Sequence, residues 1–454
     1  MSVVAALRGL VSEPERVTDD DAVTRSHGRD ISHHAERAPD AVVFPDSRAE
    51  VATILRWANE ARVPVTPYGS GTSVEGHVIP VDGGISLDLS RMNAILDVRP
   101  ADLLARVEAG VTRLQLEERL REAGLFFPVD PGADASIGGM VATNASGTNA
   151  VRYGTMRHNT LGLEVVLADG TVIRTGGAAP KSSAGYDLTR LFVGSEGTLG
   201  VVTEVLLRVH AVPEFVVAAR AVFPSLDSAV HAATRLIQTG TAVARVELVD
   251  ELTVRAVNAY EGTDYGERPT LFLEFSGTEP AVRHELDRAE ELARDEGCVT
   301  FEGGSDEAER VRLWNARYHA ALAVMATAPG KKLMSTDVCV PVSALPDAIR
   351  HARELVDSAG VPAAILGHVG DGNYHTIFMV DPADAGDVSR AEAINEEIVR
   401  HALALDGTCT GEHGIGLGKR TYLRAERGPA VELMRAIKKT LDPHGIMNPG
   451  KVLD

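Results

Sequence analysis

The sequence predicts an α+β protein made of more than one domain. The chain has 454 residues, and single hydrophobic cores stop growing at about 250–300 residues, so we expect two or three domains. Strand-like and helix-like runs alternate along the chain, which indicates a mixed α and β class. Near Pro213 the glycine-rich, loop-rich first part gives way to longer strands and helices. We therefore predict a domain boundary there.

Two helices in the first part have clear start signals. Ser47 and Glu50 have the spacing of a capping box and begin an amphipathic stretch that we expect to end near Arg62. Thr112 and Gln115 repeat the same signal. Each box predicts a helix that begins one residue after its Ser or Thr.

Strand and turn signals fill the remaining sequence. A short strand is predicted at residues 41–45, and residues 163–175 alternate apolar positions around Asp169-Gly170, a dipeptide typical of tight hairpins. After the boundary we predict a strand at residues 215–222 and helices at 226–238 and 391–405. The tail from Asp442 to Lys451 is rich in turn residues, which indicates a segment that returns to a site.

Composition excludes several classes of function. The net charge is −19 and the sequence pI is about 5.3, and no Lys/Arg-rich window with aromatic residues is present, so we expect no nucleic-acid partner. No apolar run approaches the ~18–20 residues needed to cross a bilayer, and the N-terminus lacks signal-peptide character. Three scattered cysteines, Cys298, Cys339 and Cys409, indicate a reducing compartment. We expect a cytoplasmic protein, with peripheral membrane contact left open.

Two histidines flank a glycine-rich turn and give the sharpest chemical signal. If residues 370–373 form a four-residue turn, His368 and His375 face each other directly on paired strands, where both rings can bind one divalent cation. Glu412 would add a carboxylate and leave a coordination position open, as in catalytic sites. His413 would then be available for proton transfer. The alternative is a structural pair of hairpin histidines and a turn glutamate.

Three glycine-rich segments precede the predicted boundary, at residues 68–76, 131–147 and 194–200. Glycine allows positive φ and close approach of a ligand, and successive N–H groups can bind phosphate oxygens. None of the segments matches the G-x-G-x-x-G dinucleotide fingerprint or the G-x-x-x-x-G-K-[ST] phosphate loop. Singly each is a tight turn, but together they indicate a pyrophosphate-binding site of another kind.

Six ordered motifs together resemble the FAD-linked D-2-hydroxyacid dehydrogenases, whose flavin domain is of the vanillyl-alcohol-oxidase type. The pattern is most similar to the cytochrome-linked branch of that family, and it covers the chain from about Val42 to Asp454. The motifs are Pro67-Tyr68-Gly69-Ser70-Gly71-Thr72-Ser73, Pro131-Gly132 with Ile137-Gly138-Gly139-Met140 and Asn144, Gly194-Ser195-Glu196-Gly197-Thr198-Leu199-Gly200, Gly367-His368-Val369-Gly370-Asp371-Gly372-Asn373-Tyr374-His375, Gly411-Glu412-His413-Gly414 and Asn448-Pro449-Gly450-Lys451.

The resemblance implies a fold and a domain arrangement. It implies a two-part FAD-binding domain, an antiparallel-sheet α+β substrate (cap) domain, and a C-terminal segment that returns to the flavin. We accordingly expect an N-terminal segment at residues 1–40, the FAD-binding domain at 41–213, the substrate domain with the metal hairpin at 214–405, and a segment that completes the active site at 406–454.

The resemblance also implies the cofactor-binding residues. His77 is near the place where some relatives attach FAD covalently, but it falls later than the usual attachment point, so we expect non-covalent FAD. The implied FAD-binding residues are Pro67, Tyr68, Gly69, Ser70, Gly71, Thr72, Ser73, Pro131, Gly132, Ser136, Gly138, Gly139, Asn144, Gly147, Glu196, Gly197, Gly200, Val201, Val202 and Asn448.

The same resemblance implies a catalytic set. His368, His375 and Glu412 match the family's metal ligands, usually for Zn²⁺, with Mn²⁺ and Fe²⁺ left open. His413 matches the proposed base, and Arg317 matches the arginine that binds the substrate carboxylate. Without the resemblance, Arg317 would be interpreted as a helix-surface residue. The implied reaction is metal-assisted deprotonation of the substrate hydroxyl with hydride transfer from C2 to flavin N5.

Two departures from a sister group bear on the substrate. D-2-hydroxyglutarate dehydrogenases carry a lysine and an asparagine where this chain has Ser335 and Ile377. An unpaired buried carboxylate is costly, so a short apolar substrate fits better, and we expect D-lactate oxidised to pyruvate. Lys331 and Lys332 are close in sequence and could compensate, which leaves D-2-hydroxyglutarate and glycolate as alternatives.

Two other classes remain open at this point. An alkyl-transferring flavoenzyme shares the flavin fold but needs a lipid-like acyl phosphate, and a non-catalytic flavin- or metal-binding protein would not react with D-2-hydroxyacids. The sequence does not select the electron acceptor among cytochrome c, a quinone and an electron-transfer flavoprotein. A homodimer is compatible with it.

Overall fold

The structure, a computed structural model, describes residues 2–453, and the chain divides into two compact units. The first unit comprises Met1–Ser146, Tyr153–Val212 and Glu412–Asp454, and the second comprises Gly147–Arg152 and Pro213–Gly411. The first unit is therefore built from both ends of the chain.

Short strands make up the sheets of the first unit. Among the residues described, a four-stranded sheet has the order β1-β2-β4-β3, a five-stranded sheet has the order β5-β6-β10-β8-β9, and β7 pairs with β11. The strands are β1 (Val17–Thr18), β2 (Ala41–Val43), β3 (Val65–Tyr68), β4 (Ile85–Asp88), β5 (Ile95–Arg99), β6 (Leu104–Glu108), β7 (Leu125–Phe126), β8 (Thr160–Val166), β9 (Val172–Gly176), β10 (Val201–Arg208) and β11 (His210–Ala211).

The helices before Pro213 are mostly short. They are α1 (Val3–Leu7), α2 (Asp21–Ser26), α3 (Arg48–Ala61), α4 (Arg113–Arg121), α5 (Ile137–Thr143), α6 (Ala150–Tyr153), α7 (Met156–Asn159) and α8 (Leu188–Phe192).

Both predicted helix starts are confirmed, but only one capping box is complete. In α4 the Thr112 side chain caps the Gln115 N–H, and the Gln115 side chain accepts from the Thr112 N–H at 3.0 Å. At α3, Ser47 caps Glu50, but the Glu50 carboxylate binds Arg16 and the Asp46 N–H and not the Ser47 N–H. A buried guanidinium makes a stronger bond to a carboxylate than a backbone N–H does, so the tertiary contact prevails.

The C-terminal tail joins the first sheet. Val65 of β3 pairs with Met447, its N–H donates to the Ile446 carbonyl at 2.8 Å, and its carbonyl accepts the Asn448 N–H at 2.8 Å. Ile446 and Met447 are buried in the same hydrophobic cluster as α3 and strands β2 to β4. Turn residues in the tail thus place Asn448 beside β3, the strand that leads into the first glycine loop.

The second unit contains a large antiparallel sheet, as the sequence predicts. Its strand order is β15-β12-β14-β13-β18-β19-β16, with β17 also paired to β19. The predicted elements at residues 215–222 and 226–238 match β12 and α9. The strands are β12 (Phe215–Val222), β13 (Arg245–Val249), β14 (Thr270–Gly277), β15 (Thr300–Gly304), β16 (Lys332–Ser335), β17 (Val338–Cys339), β18 (Ala363–Gly367) and β19 (Asn373–Val380).

Among residues 2–453, seven helices after α8 belong to the second unit, and the last two belong to the first unit. Those of the second unit are α9 (Leu226–Gln238), α10 (Glu251–Glu261), α11 (Glu279–Asp295), α12 (Glu307–Tyr318), α13 (Ala320–Ala326), α14 (Leu345–Ala359) and α15 (Ala385–Ala404). The last two are α16 (Arg420–Arg427) and α17 (Ala430–Leu441). One hydrophobic cluster packs α10, α12 and α13 against the sheet.

Candidate active site

The two hairpin histidines are close together but not directly opposite. His375 pairs with Leu366 across β18 and β19, so the prediction that it faces His368 is wrong by two residues. The cause is a turn that begins one residue earlier than predicted: the His368 carbonyl accepts the N–H groups of Asp371 and Asn373, so residues 369–372 form the turn. An offset of two residues keeps both side chains on one face of the sheet. The two imidazole centroids lie 5.7 Å apart at an interplanar angle of 88°.

Each imidazole is fixed through its Nδ1 atom. His368 Nδ1 lies 2.8 and 2.9 Å from the two carboxylate oxygens of Glu247, and His375 Nδ1 lies 3.2 Å from the Thr336 carbonyl. Because these partners only accept, Nδ1 carries the proton, and in a neutral ring Nε2 then carries the lone pair. Both rings therefore have the tautomer that a metal ligand needs.

A buried carboxylate accompanies His375. Asp337 has no solvent exposure, and one of its oxygens lies 3.7 Å from His375 Nδ1. Its carboxylate accepts from Asn373 Nδ2 at 2.9 Å and Thr410 Oγ1 at 2.7 Å, while its backbone carbonyl accepts the Gly411 N–H at 3.0 Å. Asp337 thus anchors the end of the second unit, and Glu412 is the next residue in the sequence.

Arg317 is buried, and the interpretation as a helix-surface arginine is wrong. It is 7% exposed on α12, and its Nη2 lies 2.6 Å from the Glu247 carboxylate. Its Nε is a buried donor without a hydrogen-bond partner among residues 2–453. Such an unsatisfied donor is costly in a folded protein, and a bound anion would satisfy it.

Sequence reasoning missed Glu247, although a signal was present. In β13, Arg245 and Glu247 alternate with apolar residues, so a charged pair occupies one face of a strand within the sheet. Glu247 is fully buried. Burial alone would raise the pKa of Glu247, but His368 and Arg317 outweigh burial and hold that pKa below its usual value.

The Glu412-His413 pair lies in the first unit, in a turn that Glu196 anchors. His413 Nε2 is 3.7 Å from a Glu412 carboxylate oxygen. Two residues further on, the N–H groups of Ile415 and Gly416 donate to the two oxygens of Glu196, at 2.7 and 2.8 Å. Two backbone N–H groups bound to one carboxylate fix the backbone of this turn.

Glu196 also has a histidine partner. His77 Nε2 lies 3.1 Å from the same carboxylate, and both residues are buried. Burial lowers the pKa of His77, but the Glu196 carboxylate together with the charges of Glu75 and Asp30 outweighs burial and raises that pKa overall. Asn448 Nδ2 donates to the backbone carbonyls of His77 and Glu196, at 3.1 and 2.7 Å. The first glycine loop, the third glycine loop and the tail thus meet at one buried cluster.

The first glycine loop has the backbone that a pyrophosphate requires. It follows β3, and Gly71 has a φ of +65°. A Cβ at Gly69 would lie 2.2 Å from Ser136 Oγ, so a side chain there would displace the hydroxyl that caps α5. Among residues 2–453 the N–H groups of residues 70–73 have no acceptor. Successive free donors form an anion-binding nest, so this loop fits the phosphates of FAD.

The second predicted segment surrounds α5. Ser136 caps α5 through the Gly139 N–H, and Asn144 ends it in the left-handed conformation. The Asn144 side chain accepts from Thr155 Oγ1 and the Arg157 N–H, at 3.0 and 2.9 Å. The other predicted FAD-binding residues are spread over several elements: Pro131 and Gly132 after Asp130, Gly138 in α5, Gly197 and Gly200 before β10, Val201 and Val202 in β10, and Gly147 in the second unit.

The fold and these loops define a flavin-dependent oxidoreductase, and comparison with known proteins identifies its family. Residues 212–452 match the family described as FAD linked oxidases, C-terminal domain, and residues 39–176 match the FAD binding domain. The chain belongs to the FAD-linked oxidase family. The predicted FAD-linked enzyme and its vanillyl-alcohol-oxidase-type α+β fold are confirmed.

Several relatives match nearly the whole chain. A probable mitochondrial D-lactate dehydrogenase of Danio rerio is 49% identical over 99% of this chain and 93% of its own length. A mitochondrial D-lactate dehydrogenase [cytochrome] of Arabidopsis thaliana is 44% identical over 98% and 80%. A glycolate oxidase subunit of Bacillus subtilis is 34% identical over 97% and 95%. The structure of p-cresol methylhydroxylase, 19% identical, covers 100% of this chain and 96% of that chain with a TM-score of 0.82, which shows the shared fold.

The predicted cytoplasmic location is contradicted. The relatives from Danio rerio and Arabidopsis thaliana are named as mitochondrial proteins. Charge and cysteine content cannot separate the cytoplasm from an organelle interior, because both are aqueous and a location is set by receptor-read signals. Within residues 2–453, none of the helices combines the length and apolar character that a membrane span requires.

Proposed function

We propose that this protein oxidises a D-2-hydroxyacid, D-lactate to pyruvate, with FAD and a divalent metal ion. The observation that carries the proposal is in the second unit, where Glu247 contacts both Arg317 and His368. The same buried carboxylate thereby fixes two groups. One is a guanidinium that can bind a substrate carboxylate, and the other is an imidazole with the tautomer of a metal ligand. We assign residues 41–213 and 406–454 to the flavin part and residues 214–405 to the substrate part.

Arg317 would bind the substrate carboxylate. One of its nitrogens is already held by Glu247, and the buried Nε lacks a partner among the residues described. A guanidinium tethered at one end loses less side-chain freedom when it binds an anion, which favours tight and oriented binding. The carboxylate would supply the acceptor that Nε lacks.

His368, His375 and Glu412 would hold the metal ion, which we propose to be Zn²⁺. The two imidazoles fit, because their Nδ1 atoms are fixed and their Nε2 atoms carry the lone pairs. Glu412 directly follows Gly411, which Asp337 anchors. When bound, a dication lowers the pKa of a coordinated hydroxyl group and stabilises its deprotonated form.

His413 would accept the hydroxyl proton. Its turn is held by Glu196 through Ile415 and Gly416, so the imidazole is carried on a fixed backbone. Bound FAD would supply the two-electron oxidation. The glycine loops would hold its phosphates, and the cluster of His77, Glu196 and Asn448 would keep those loops together.

The side chains beside the metal hairpin favour a small, apolar substrate. Ser335 and Ile377 are direct cross-strand partners on β16 and β19, and Ile377 lies two residues from His375 on the same face. Lys331 pairs with Asp387 at 3.1 Å. Lys332 is three residues before Ser335 and therefore points to the opposite face of β16. These placements give neither lysine a role in binding a distal carboxylate, and they support D-lactate over D-2-hydroxyglutarate.

The relatives bear on the acceptor and on one alternative substrate. The Arabidopsis thaliana relative is named for a cytochrome, and we propose cytochrome c as the acceptor. The Bacillus subtilis relative is named for glycolate, which lacks the methyl group of lactate and would contact the same residues.

Anaerobic titration tests the proposal. Purified yellow protein is mixed in a stopped-flow instrument with D-lactate, L-lactate, glycolate and D-2-hydroxyglutarate, before and after removal of metal by a chelator. We expect flavin bleaching to be fastest with D-lactate, absent with L-lactate and lost after chelation. Bleaching that is unchanged by chelation would refute the metal, and no bleaching by any D-2-hydroxyacid would refute the reaction.

A further inference from the structure

Glu247 is a buried charged residue whose partners all lie outside its own strand. It is fully buried on β13, where the flanking positions Val246 and Leu248 are apolar core residues. A buried carboxylate is costly unless cations or donors surround it. Both of its strongest contacts, to His368 and Arg317, come from other elements, the turn after β18 and helix α12.

The distances show that Glu247 is shared between these two side chains. One oxygen lies 2.8 Å and the other 2.9 Å from His368 Nδ1, and the second oxygen also lies 2.6 Å from Arg317 Nη2. A carboxylate behind a metal-binding imidazole fixes the ring and increases its basicity. A carboxylate on one edge of a guanidinium fixes the plane in which the other edge can bind.

We propose that Glu247 is the positioning residue that sets both metal affinity and binding of the substrate carboxylate, through His368 and Arg317 respectively. This inference rests on the proposed function. It predicts that one isosteric substitution weakens two separable binding events, whereas a purely structural role would lower stability and leave both equilibria of the folded protein unchanged.

The test is Glu247→Gln, measured on the FAD-loaded full chain. Zinc affinity is measured by competition with a chromogenic chelator, and D-lactate binding by the concentration dependence of flavin reduction at saturating zinc. We expect the zinc dissociation constant to rise about 10–100-fold and the half-saturating D-lactate concentration to rise about tenfold or more. The matched control is Glu274→Gln on β14, which removes the 3.3 Å ion pair with Arg245 and should leave both values within about twofold.

A second variant keeps the test decisive where Glu247→Gln does not fold. Arg317→Met leaves the contact between Glu247 and His368 intact, so we expect weaker D-lactate binding with zinc affinity retained within about threefold. Equal loss of zinc and substrate in Arg317→Met, or wild-type values of both in Glu247→Gln, would overturn the inference. Failure of the proposed function would give a different result from either of these outcomes. In that case the flavin of the wild-type protein would neither be bleached by D-lactate nor respond to chelation.

Discussion

Replacing Glu196 by Gln should slow flavin reduction more than it weakens substrate binding. The Glu196 carboxylate accepts the N–H groups of Ile415 and Gly416 and lies 3.1 Å from His77. A glutamine has the same shape but only one acceptor oxygen, so one of the two N–H groups would face an amide N–H group. The turn that carries His413 would lose one of its two anchors.

The magnitude follows from the bond that is lost. A hydrogen bond to a charged group contributes about 1.5–3 kcal/mol, which corresponds to a factor of about 10 to 150 in an equilibrium or rate constant. If that free energy is spent on reaching the reactive position of His413, flavin reduction slows by about the same factor. The D-lactate dependence should change less than the rate, because Arg317 and the two metal histidines belong to the second unit, and Glu412 is the one proposed ligand in the turn.

Anaerobic stopped-flow spectroscopy at several D-lactate concentrations separates the limiting rate from the half-saturating concentration. The matched control is Glu164→Gln, another buried glutamate of the first unit, which binds Arg48 and Arg174 on the five-stranded sheet. We expect the control to lower stability and to keep the limiting rate within about twofold. A Glu196→Gln protein with normal FAD content and a wild-type limiting rate would refute the anchoring role.

Three further predictions concern other parts of the molecule. Glu50→Gln should lower the free energy of unfolding at pH 7 by about 3 kcal/mol, because Arg16 and two backbone donors outweigh burial and hold the Glu50 pKa at about 2, against 4.5 normally. Since a depressed pKa gives stability that is present above 4.5 and lost as pH falls to about 2, the difference from wild type in denaturant melts should vanish over that range; a constant difference would contradict it. His413→Ala should retain FAD and lose anaerobic bleaching by D-lactate, and near-normal bleaching would exclude His413 as the base. Ser335→Lys combined with Ile377→Asn should raise kcat/KM for D-2-hydroxyglutarate relative to D-lactate by about tenfold or more, and an unchanged ratio of the two substrates would show that these positions do not set specificity.

Local signals in the sequence predicted local structure well. The hairpin around Asp169-Gly170 joins β8 to β9, and the strand and helix after Pro213 have the predicted bounds. These elements depend on turn chemistry, capping and apolar periodicity within a few residues. The side chain of Glu50 shows the limit of such signals, because its partner Arg16 is 34 residues away and no local pattern specifies that pairing.

The register of the histidine hairpin shows a second limit. The residue types predicted that His368 and His375 share a face, which is correct, but not that they are offset by two residues. The register depends on where the turn begins. Gly372 lies in that turn, and its backbone is too close to the Val340 carbonyl for any side chain, since a Cβ would be 2.1 Å away. That contact comes from Val340, the residue after β17, and cannot be inferred from the hairpin sequence alone.

The same limit explains why the sequence did not predict the anchoring roles of Glu247 and Glu196. His368 and His413 lie in glycine-rich turns, and glycine makes such turns possible at the cost of backbone freedom in the unfolded chain. A turn that is flexible by composition does not hold an imidazole in place, so each is tied to a buried glutamate, His368 by Glu247 and the turn of His413 by Glu196. These glutamates are 121 residues from His368 and 219 residues from Ile415 in sequence. Short motifs in the sequence therefore reveal the reactive side chains. The orientation of those side chains depends on distant carboxylates that only the fold brings close.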